Sequence, residues 1–388
     1  MTTAGSGHHL ILFLGADWWG SDARALAVAL RKTGNALIEV TYEDFFPLQW
    51  STVPLRALRR LARPWFVHNY NQAVLGQTGN PAIDFVLVFK GKLLRSATLK
   101  RFREQGTPIY CFYPDVSFLD HGPEIWKCLP LYDCLFTTKS YHLEDSALRG
   151  RVREMRLVSH GFDPEVHRPI ALTDRMRRQY GCDVSFVGCW SPKKETLLAC
   201  IVRECPGLTT RIWGPGWGRS APAVRSRWQG HGAFGDELSI IYGASRINLG
   251  LVSEAGGGTK VGDLVTARTW QIPAAGGFML HEDTVELRRY FDPEREVGVF
   301  QSTSDLAERV RHYLADQDRR LKILDAGHRR CLESNYTYEA AVDEILRFHE
   351  QSGATTWGRP ETAGSASSLQ GNNTCANSLP TMTNHTIG

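Results

Sequence analysis

One stretch near the N-terminus decides the fold: residues 10–40 read LILFLGADWWGSDARALAVALRKTGNALIEV. The apolar run 10–14 is typical of a buried strand. Ser21 is a favourable N-cap for the next segment, whose apolar side chains recur at the i, i+3, i+4 and i+7 spacing of one helix face. Gly34 stands where a glycine commonly ends a helix, and 37–40 is a second apolar run. This strand–loop–helix–strand order predicts the opening of a Rossmann-like unit.

The same alternation continues along the chain and starts afresh near Asp183. The further predicted strands are 85–89, 108–112, 134–137 and 154–158, and then 184–188, 208–213, 247–252, 277–280 and 297–300. In the second series, Ser191 and Pro192 supply an N-cap followed by a proline in the first helical turn. The sequence therefore predicts an α/β fold of two facing Rossmann-like domains, 1–170 and 171–350, with a ligand cleft between them.

Length and composition agree with this interpretation and exclude other classes. The chain has 388 residues, which is more than one hydrophobic core usually serves. A hydrophobic fraction of 42% and a charged fraction of 22% exclude collagen-like, coiled-coil and wholly disordered chains. A net charge of +4 gives no electrostatic argument for binding nucleic acid. The segment 351–388 is rich in Ser, Thr, Gly and Asn and is predicted to be disordered.

Cysteine usage and hydropathy indicate the compartment. The nine cysteines form no CxxC pair, which favours a reduced compartment and predicts no metal site. No apolar run reaches the ~18 residues of a membrane span, and no basic segment of a signal peptide precedes residues 10–14. We therefore expect a cytoplasmic protein.

The loop after the first strand is the first candidate site. Its residues proposed for the cleft are Gly15, Trp18, Gly20 and Ser21. Glycines let backbone amides approach a ligand, and the N-terminus of the next helix favours an anion or a hydroxyl-rich group. Asp17 lies at the end of the strand, where a general base would face the cleft. The alternative is an ordinary turn whose tryptophans pack at a domain interface.

Two further loops carry cations or glycines after strands of the second domain. Lys193 and Lys194 open a helix, where two ammonium groups and the helix N–H groups form a cradle for a diphosphate. The alternative is a solvated basic face. The stretch 253–260 ends at Lys260 and has three glycines able to wrap a phosphate, but it lacks the spacing of a P-loop. Its alternative is a plain flexible connection.

The fourth candidate is the segment 263–277. Arg268 and Gln271 are i, i+3 neighbours on a predicted helix and can face one site. A guanidinium binds phosphate bidentately, whereas the alternative is a surface arginine paired with an acid. Asp263 precedes Gln271 by eight positions.

Two other features have weaker support. The G-x-G-x-x-G match at 230–235 follows no strand pattern, which argues against a dinucleotide fingerprint. His160 lies between the two domains, where it either faces the cleft or is a satisfied structural histidine.

The stretch 268–280 reads RTWQIPAAGGFML and resembles the R-x-[FW]-E-I-x-A-x-G-G-F-x-L signature of spore-maturation-type (CgeB-like) glycosyltransferases, which are GT-B fold enzymes. The segments 113–115, 183–188 and 247–249 are similar to the same family. The resemblance covers about residues 10–350, with the more specific match in the second domain.

The resemblance implies that the second domain binds a nucleotide-sugar donor and the first binds the acceptor. The nucleotide sugar is then a co-substrate, and neither a cofactor nor a metal is needed, because basic groups neutralise the leaving diphosphate. Carried over by position, Lys193 or Lys194 contacts the diphosphate, as does Arg268. The remaining donor-side residues are Lys260, Asp263, Gln271, Gly276 and Gly277.

Gln271 departs from this pattern, since its position usually holds a glutamate that accepts hydrogen bonds from the ribose hydroxyls. An amide oxygen accepts the same bond without charge assistance, so the bond should be roughly half as strong. Asp263 matches the E-x7-E spacing of related transferases and is a second candidate for this contact.

The leading hypothesis is a hexosyltransferase-like glycosyltransferase that moves a sugar to a glycan, lipid or protein acceptor. A non-catalytic nucleotide- or sugar-binding homologue and a nucleotide-sugar epimerase are the alternatives. If the reaction inverts the anomeric centre, Asp17 or Asp115 is the candidate catalytic base. If it retains the configuration, the leaving phosphate itself takes the acceptor's proton.

The basic, aromatic segment 56–70 is the one indication of a membrane-facing acceptor. Its relevant residues are Arg56, Arg59, Arg60, Arg63, Trp65 and Phe66. Such side chains suit a weak contact with an anionic membrane surface, and the alternative is an ordinary surface helix.

Overall fold

Two parallel β-sheets organise the chain in this computed structural model, which describes residues 8–47, 52–255 and 261–353. The first sheet contains β1 (Leu10–Gly15), β2 (Ala36–Thr41), β3 (Phe85–Phe89), β4 (Ile109–Tyr113), β5 (Cys134–Thr137) and β6 (Met155–Leu157), in the order β2-β1-β3-β4-β5-β6. The second contains β7 (Cys182–Val187), β8 (Thr210–Trp213), β9 (Ser245–Gly250), β10 (Met279–Glu282) and β11 (Gly298–Phe300), in the order β11-β10-β9-β7-β8. Every strand pair within these sheets is parallel.

Helices connect the strands of both sheets. Those along the first part of the chain are α1 (Asp22–Lys32), α2 (Val53–Leu61), α3 (Arg63–Leu75), α4 (Ser96–Glu104), α5 (Pro123–Cys128) and α6 (Ser146–Arg149). Those that follow are α7 (Asp174–Tyr180), α8 (Pro192–Glu204), α9 (Pro222–Arg225), α10 (Gly235–Ala244), α11 (Arg268–Ala274), α12 (Leu287–Tyr290), α13 (Thr303–Ala315), α14 (Gln317–Glu333) and α15 (Glu339–Gly353). No helix within the described ranges combines the length and the apolar character that crossing a bilayer requires.

The predicted helix starts are confirmed at the level of hydrogen bonds. The Ser21 hydroxyl accepts the backbone N–H of Arg24 at 3.0 Å and so caps α1. Ser191 caps α8 in the same way, through the N–H of Lys194, and Pro192 occupies the first helical turn. Gly34 has a positive φ of 87° at the end of α1, a conformation that glycine adopts without steric cost.

Three strands of the second sheet begin and end elsewhere than predicted. β7 spans 182–187 instead of 184–188. β9 spans 245–250 instead of 247–252, because its pairing with β7 begins at Ser245. β10 spans 279–282 instead of 277–280. At Gly277 the backbone lies against α10, and a Cβ there would come within 3.0 Å of the Tyr242 carbonyl oxygen. The chain therefore passes closely under the end of α10 before it joins the sheet.

The strand order creates one topological switch point in each sheet. In the first, β1 lies between β2 and β3, so the chain leaves β1 and β3 in opposite directions. In the second, β7 and β9 are neighbours with the same property. Ligands of open parallel sheets bind outside the carboxyl ends of the strands at such points. The loops after β1, β3, β7 and β9 are therefore the expected site.

The last helix returns to the first sheet. Ala341, Val342 and Ile345 of α15 are buried in one cluster with Phe13 of β1 and Phe136 of β5. The predicted boundary had assigned this segment to the second domain, 171–350. The two chain crossings between the sheets run side by side, since the Phe162 N–H donates to the Tyr336 carbonyl oxygen at 3.0 Å. The predicted disorder of 351–388 is wrong for residues 351–353, which form the end of α15, and residues 354–388 lie outside the described residues.

The packing of α15 can be tested by truncating one buried side chain. We expect Ile345→Ala to lower the free energy of unfolding by about 2–5 kcal/mol, because Ile345 is fully buried and its loss leaves a cavity. The matched control is Leu332→Ala on α14, whose side chain is 56% exposed and should change stability by less than about 0.5 kcal/mol. Urea unfolding followed by circular dichroism measures both, and equal losses would contradict this packing.

Candidate active site

The carboxyl ends of the two sheets face each other across a buried ion pair. Lys139, which follows β5, places its Nζ 2.5 Å from Oδ1 of Asp263 in the second half. The two side chains are only 4% and 7% exposed. The Lys139 ammonium also lies 3.5 Å from the carbonyl oxygen of Val265. Asp263, predicted on the donor side, thus lies in the cleft and joins the two sheets.

The loop after β1 makes a second contact across the cleft. Trp18 and Phe234 meet edge to face, with ring centroids 5.0 Å apart. Gly20 and Gly235 approach so closely that a Cβ on Gly20 would lie 2.5 Å from the Gly235 backbone nitrogen, and both have positive φ. Trp18 therefore packs at the interface between the two halves, as the alternative interpretation of this loop predicted. The 230–235 stretch, set aside as a dinucleotide motif, is its packing partner.

Gly15 and Ser21 lie in the same loop but serve its own structure. Gly15 is the last residue of β1. The Ser21 hydroxyl donates to the Ala16 carbonyl oxygen at 3.2 Å and accepts the Arg24 N–H, so it is already engaged at the start of α1.

Arg268 sits at the switch point of the second sheet. Its guanidinium donates to the carbonyl oxygen of Val187, at the end of β7, at 3.3 Å and to that of Leu251, just after β9, at 2.5 Å. It also lies over the Phe186 ring, 5.3 Å from the centroid. Its Nε has no hydrogen-bond partner, and no carboxylate among the described residues forms a salt bridge with it. The alternative of a surface arginine paired with an acid does not hold.

Lys194 is a second cation beside Arg268. Its side chain is 4% exposed, and its Nζ donates to the Ser253 hydroxyl at 3.1 Å. Burial, together with the Arg268 charge, lowers the pKa of Lys194 to about 8. In the described part of the chain no carboxylate lies within ion-pair distance of this ammonium. Lys194, which is buried, and Arg268, which is partly buried, lie near each other without an ion-pair partner among the described residues, and they form the electrostatic centre of the site.

Carboxylates of the chain itself pair with the Lys193 ammonium and with the N-terminus of α8. The Lys193 ammonium pairs with Glu282 at 2.6 Å. The Glu254 carboxylate accepts the Ser191 hydroxyl at 2.6 Å and the Lys193 backbone N–H at 3.2 Å. The helix N-terminus expected to hold a phosphate thus binds a carboxylate of the chain itself. Of the two lysines proposed for the diphosphate, the structure leaves Lys194 available.

The other donor-side predictions have mixed placements. Gln271 lies one turn after Arg268 on α11, as its spacing predicted, and is 8% exposed. Gly276 and Gly277 follow the far end of α11, at the amino edge of the sheet, where Gly276 faces Pro169 and Gly277 faces Asn248. The structure does not bring these glycines to the cations. Lys260 lies outside the described residues.

On the first sheet, Asp115 forms the centre of a charged cluster. Its two carboxylate oxygens lie 3.0 Å from Lys90 Nζ and 2.7 Å from His121 Nε2. Burial alone would raise the pKa of the Asp115 carboxyl, but the Lys90 ammonium and the hydrogen bond from His121 outweigh it and hold the pKa well below its usual range. Asp115 is therefore a stable anion and a weak proton acceptor.

Asp17 and Asp22 differ in their surroundings. The Asp17 side chain is 57% exposed and lies 3.7 Å from Arg24 Nε, at the rim of the cleft. Asp22, in the first turn of α1, was not singled out from the sequence. Burial raises the pKa of its carboxyl, although the nearby Lys90 ammonium opposes that shift. Asp22 consequently has the more base-like environment of the two.

His160 lies where the two halves meet. Its ring is 5% exposed and lies 6.1 Å from the Trp270 ring. Burial, and then the positive charge of Lys139, lower the pKa of His160 well below its ordinary value, so the imidazole is neutral at pH 7. Its Nδ1 has no hydrogen-bond partner among the described residues, so the alternative of a fully satisfied structural histidine does not describe it.

Sequence reasoning missed several residues of this site. Lys90, His121, Glu254 and Glu282 each carry a charge or a proton that the site uses. Glu254 lies in the candidate stretch 253–260 but was not itself singled out, and the other three belong to no local motif. Only their positions after β3 and β4 and at the end of β10 could have signalled those three. No group of three His, Cys, Asp or Glu side chains in the described ranges is arranged to hold a metal ion, and metal independence stays a prediction.

Comparisons with known proteins agree with the fold. Residues 193–347, less than half of the chain, match the family model described as glycosyl transferase-like. Sucrose-phosphate synthase from Thermosynechococcus elongatus is 15% identical, with a TM-score of 0.61 over 90% of this chain and 100% of that one. Anabaena HepE in complex with UDP and glucose is 13% identical, with a TM-score of 0.56 over 89% and 100%. The predicted GT-B fold is confirmed.

A third similar structure belongs to a different class of enzyme. A protein from Listeria monocytogenes described as a UDP-N-acetylglucosamine 2-epimerase is 13% identical, with a TM-score of 0.51 over 92% of this chain and 99% of that one. No curated protein matches the chain by sequence. The resemblance to the spore-maturation-type family is a finer statement and stays a prediction.

The unpaired, buried ammonium of Lys194 should lower the free energy of unfolding of the protein. We expect Lys194→Met to raise the free energy of unfolding at pH 7 on the order of 2 kcal/mol, because the folded chain lowers the pKa of this lysine from 10.5 to about 8. Between pH 8 and 10.5 the unfolded chain holds a proton that the folded chain has lost, so wild-type stability rises with pH and the difference shrinks.

The matched control for that measurement is the neighbouring lysine. Lys193→Met removes a salt bridge to Glu282 and should leave stability unchanged or lower it. Urea titrations at several pH values, followed by circular dichroism, compare the two variants. A loss of stability in Lys194→Met at pH 7 would contradict the unpaired cation.

Proposed function

We propose that this protein is a glycosyltransferase that moves a sugar from a nucleotide-sugar donor to an acceptor. The observation that carries this proposal is the pair of neighbouring cations, buried Lys194 and partly buried Arg268, at the switch point of the second sheet. Two like charges a short distance apart repel each other in a poorly solvated site, and a diphosphate placed between them removes that repulsion. The site is thus built for a multiply charged anion.

Departure of the diphosphate is the step that such a site accelerates. When the bond between the anomeric carbon and the phosphate oxygen breaks, negative charge grows on the leaving oxygen. Fixed cations stabilise that charge without reorganising, and they act more strongly away from bulk water. Arg268 is held by two carbonyl oxygens and an aromatic ring, so its guanidinium is already in place before the donor binds.

Glu254 sets a condition on donor binding. Its carboxylate occupies the N-terminus of α8, where it also lies near the Lys194 charge. A diphosphate that used the helix amides would displace this carboxylate. A diphosphate that used only Lys194 and Arg268 would leave it in place.

The acceptor is proposed to lie against the first sheet. Asp115 holds Lys90 and His121 in place and is too weakly basic to take a proton itself. On this side the Asp22 carboxyl, whose pKa burial raises, is the more basic candidate if the acceptor must lose a proton, whereas burial and the Lys139 charge lower the pKa of His160 and make it a weak base. Asp17, at the exposed rim, is assigned to acceptor contact.

Similar proteins support the choice of donor. The family model covers 193–347, which includes Lys193, Lys194 and Arg268. The Anabaena structure contains UDP and glucose, so UDP is the first nucleotide to test on this chain. The similarity to an epimerase favours a second candidate, interconversion of nucleotide sugars in the absence of any acceptor.

The cation site can be tested by turnover. We expect Lys194→Ala and Arg268→Ala each to lower kcat about 100-fold or more, because each removes a charge that stabilises the departing diphosphate. Release of nucleoside diphosphate from a panel of nucleotide sugars, with circular dichroism to verify folding, measures the effect.

The control for this test is Arg295→Ala, since that arginine is 82% exposed and pairs with Asp292 at the surface. Unchanged turnover in both site variants would contradict the proposal. Donor interconversion without acceptor would favour the epimerase, and tight binding of UDP without turnover would favour a binding protein.

The role of Gln271 can be separated from that of the cations. We expect Gln271→Glu to tighten UDP binding roughly fivefold, because a carboxylate accepts the ribose hydroxyl bonds with charge assistance. Inorganic pyrophosphate has no ribose, so its affinity should not improve. Isothermal titration calorimetry with both ligands measures this, and an equal gain for pyrophosphate would place Gln271 away from the ribose.

A further inference from the structure

Helix α2 is almost wholly exposed although half of its surface is apolar. None of its residues is buried, and Val53, Leu58 and Leu61 are exposed to 70%, 49% and 79%. The hydrophobic residues of a surface helix normally face the core. Here they face away from the described parts of the chain.

The two kinds of side chain in α2 occupy opposite faces. At the 100° turn per residue of an α-helix, Val53, Leu58 and Leu61 fall within one half of the helical wheel, whereas Arg56, Arg59 and Arg60 fall within the other. No aspartate or glutamate occurs between Asp44 and Asp84. The helix is therefore apolar on one side and purely cationic on the other.

The neighbouring helix fixes α2 to the domain. Tyr70 and Val74 of α3 belong to the core of the first sheet. Phe66 is buried and packs against Phe46, with ring centroids 5.4 Å apart, so the prediction that Phe66 faces a membrane is wrong. Trp65 is instead 62% exposed, beside the last turn of α2.

We propose that α2 and Trp65 form a docking surface for a membrane that carries anionic lipids. A helix of nine residues is too short to span a bilayer, but one with leucines on one face and arginines on the other lies in the interface. Its arginines would contact lipid phosphates, and tryptophan is enriched at that depth. A protein partner would need acidic groups on both flanks of an apolar groove, whereas an anionic bilayer offers both features over any area.

The position of α2 connects this surface to the cleft. The segment 42–47 contacts both the cleft rim and α2: the Glu43 carboxylate accepts the Asp17 N–H at 3.4 Å, and the Arg59 guanidinium of α2 lies 3.5 Å from the Pro47 carbonyl oxygen. A membrane bound to α2 would therefore lie beside the loop 15–21. The inference concerns docking and stands whether or not the proposed transfer reaction is correct.

Sedimentation with lipid vesicles tests the proposal on the full chain. We expect binding to vesicles of phosphatidylcholine and phosphatidylglycerol, weak binding to phosphatidylcholine alone, and a loss of affinity as salt rises. Leu58→Asp combined with Leu61→Asp should weaken binding at least tenfold. Replacing Arg56, Arg60 and Arg63 by Gln should weaken it on the order of 100-fold, at roughly fivefold per charge.

The matched control is the double variant Leu321→Asp and Leu332→Asp, two exposed leucines on α14, which should bind vesicles like the wild type. Hydrogen exchange should show protection of 53–65 only with anionic vesicles. Absence of vesicle binding, or equal binding by the α2 and α14 variants, would overturn the proposal. Protection of α2 without lipid, lost on dilution, would assign this face to a second copy of the chain and would also overturn it.

Discussion

The guanidinium of Arg268 ties the candidate site to the sheet that carries it. It bridges the carbonyl oxygens of Val187, at the end of β7, and Leu251, just after β9. These two parallel strands flank the topological switch point of the second sheet. Those carbonyls lie where two parallel strands end, and the cation satisfies them while its Nε has no hydrogen-bond partner among the described residues. The charge of Lys194 is added to the same place. Arg268 thus both caps the strand ends of the second sheet and supplies one of the two cations of the proposed donor site.

The two halves of the cleft carry charge in different ways. On the second sheet Lys194 and Arg268 have no ion-pair partner among the described residues, so this wall can attract an anion. On the first sheet the Asp115 carboxylate pairs with Lys90 and lies within hydrogen-bond distance of His121, so these polar groups satisfy one another. Between the two walls, Lys139 and Asp263 form an ion pair that is almost fully shielded from water. A buried pair of this kind is costly to break by removing one partner, so it favours one relative placement of the sheets.

The sequence predicted the elements well because they depend on local patterns. The apolar runs of β1 and β7, the caps at Ser21 and Ser191, and the i, i+3 spacing of Arg268 and Gln271 are all set by near neighbours in the chain. The charged contacts of the site were not predictable in the same way. Lys139 and Asp263 are far apart in sequence, and nothing local distinguishes Lys194, which is unpaired, from Lys193, which pairs with Glu282. The burial of Phe66 likewise depends on Phe46, in a separate segment.

The return of α15 to the first sheet changes how the architecture is divided. A fragment that stopped at residue 170 would leave Phe13 and Phe136 without the helix that covers them. The second sheet is, in covalent terms, an insertion between β6 and α15. Because the crossings at Phe162 and Tyr336 lie side by side, the ends of this insertion are close together. Joining them directly, so that 337–353 follows a point near residue 161 through a short linker, would give a self-contained first domain, and the excised part would already have adjacent termini suited to circular permutation.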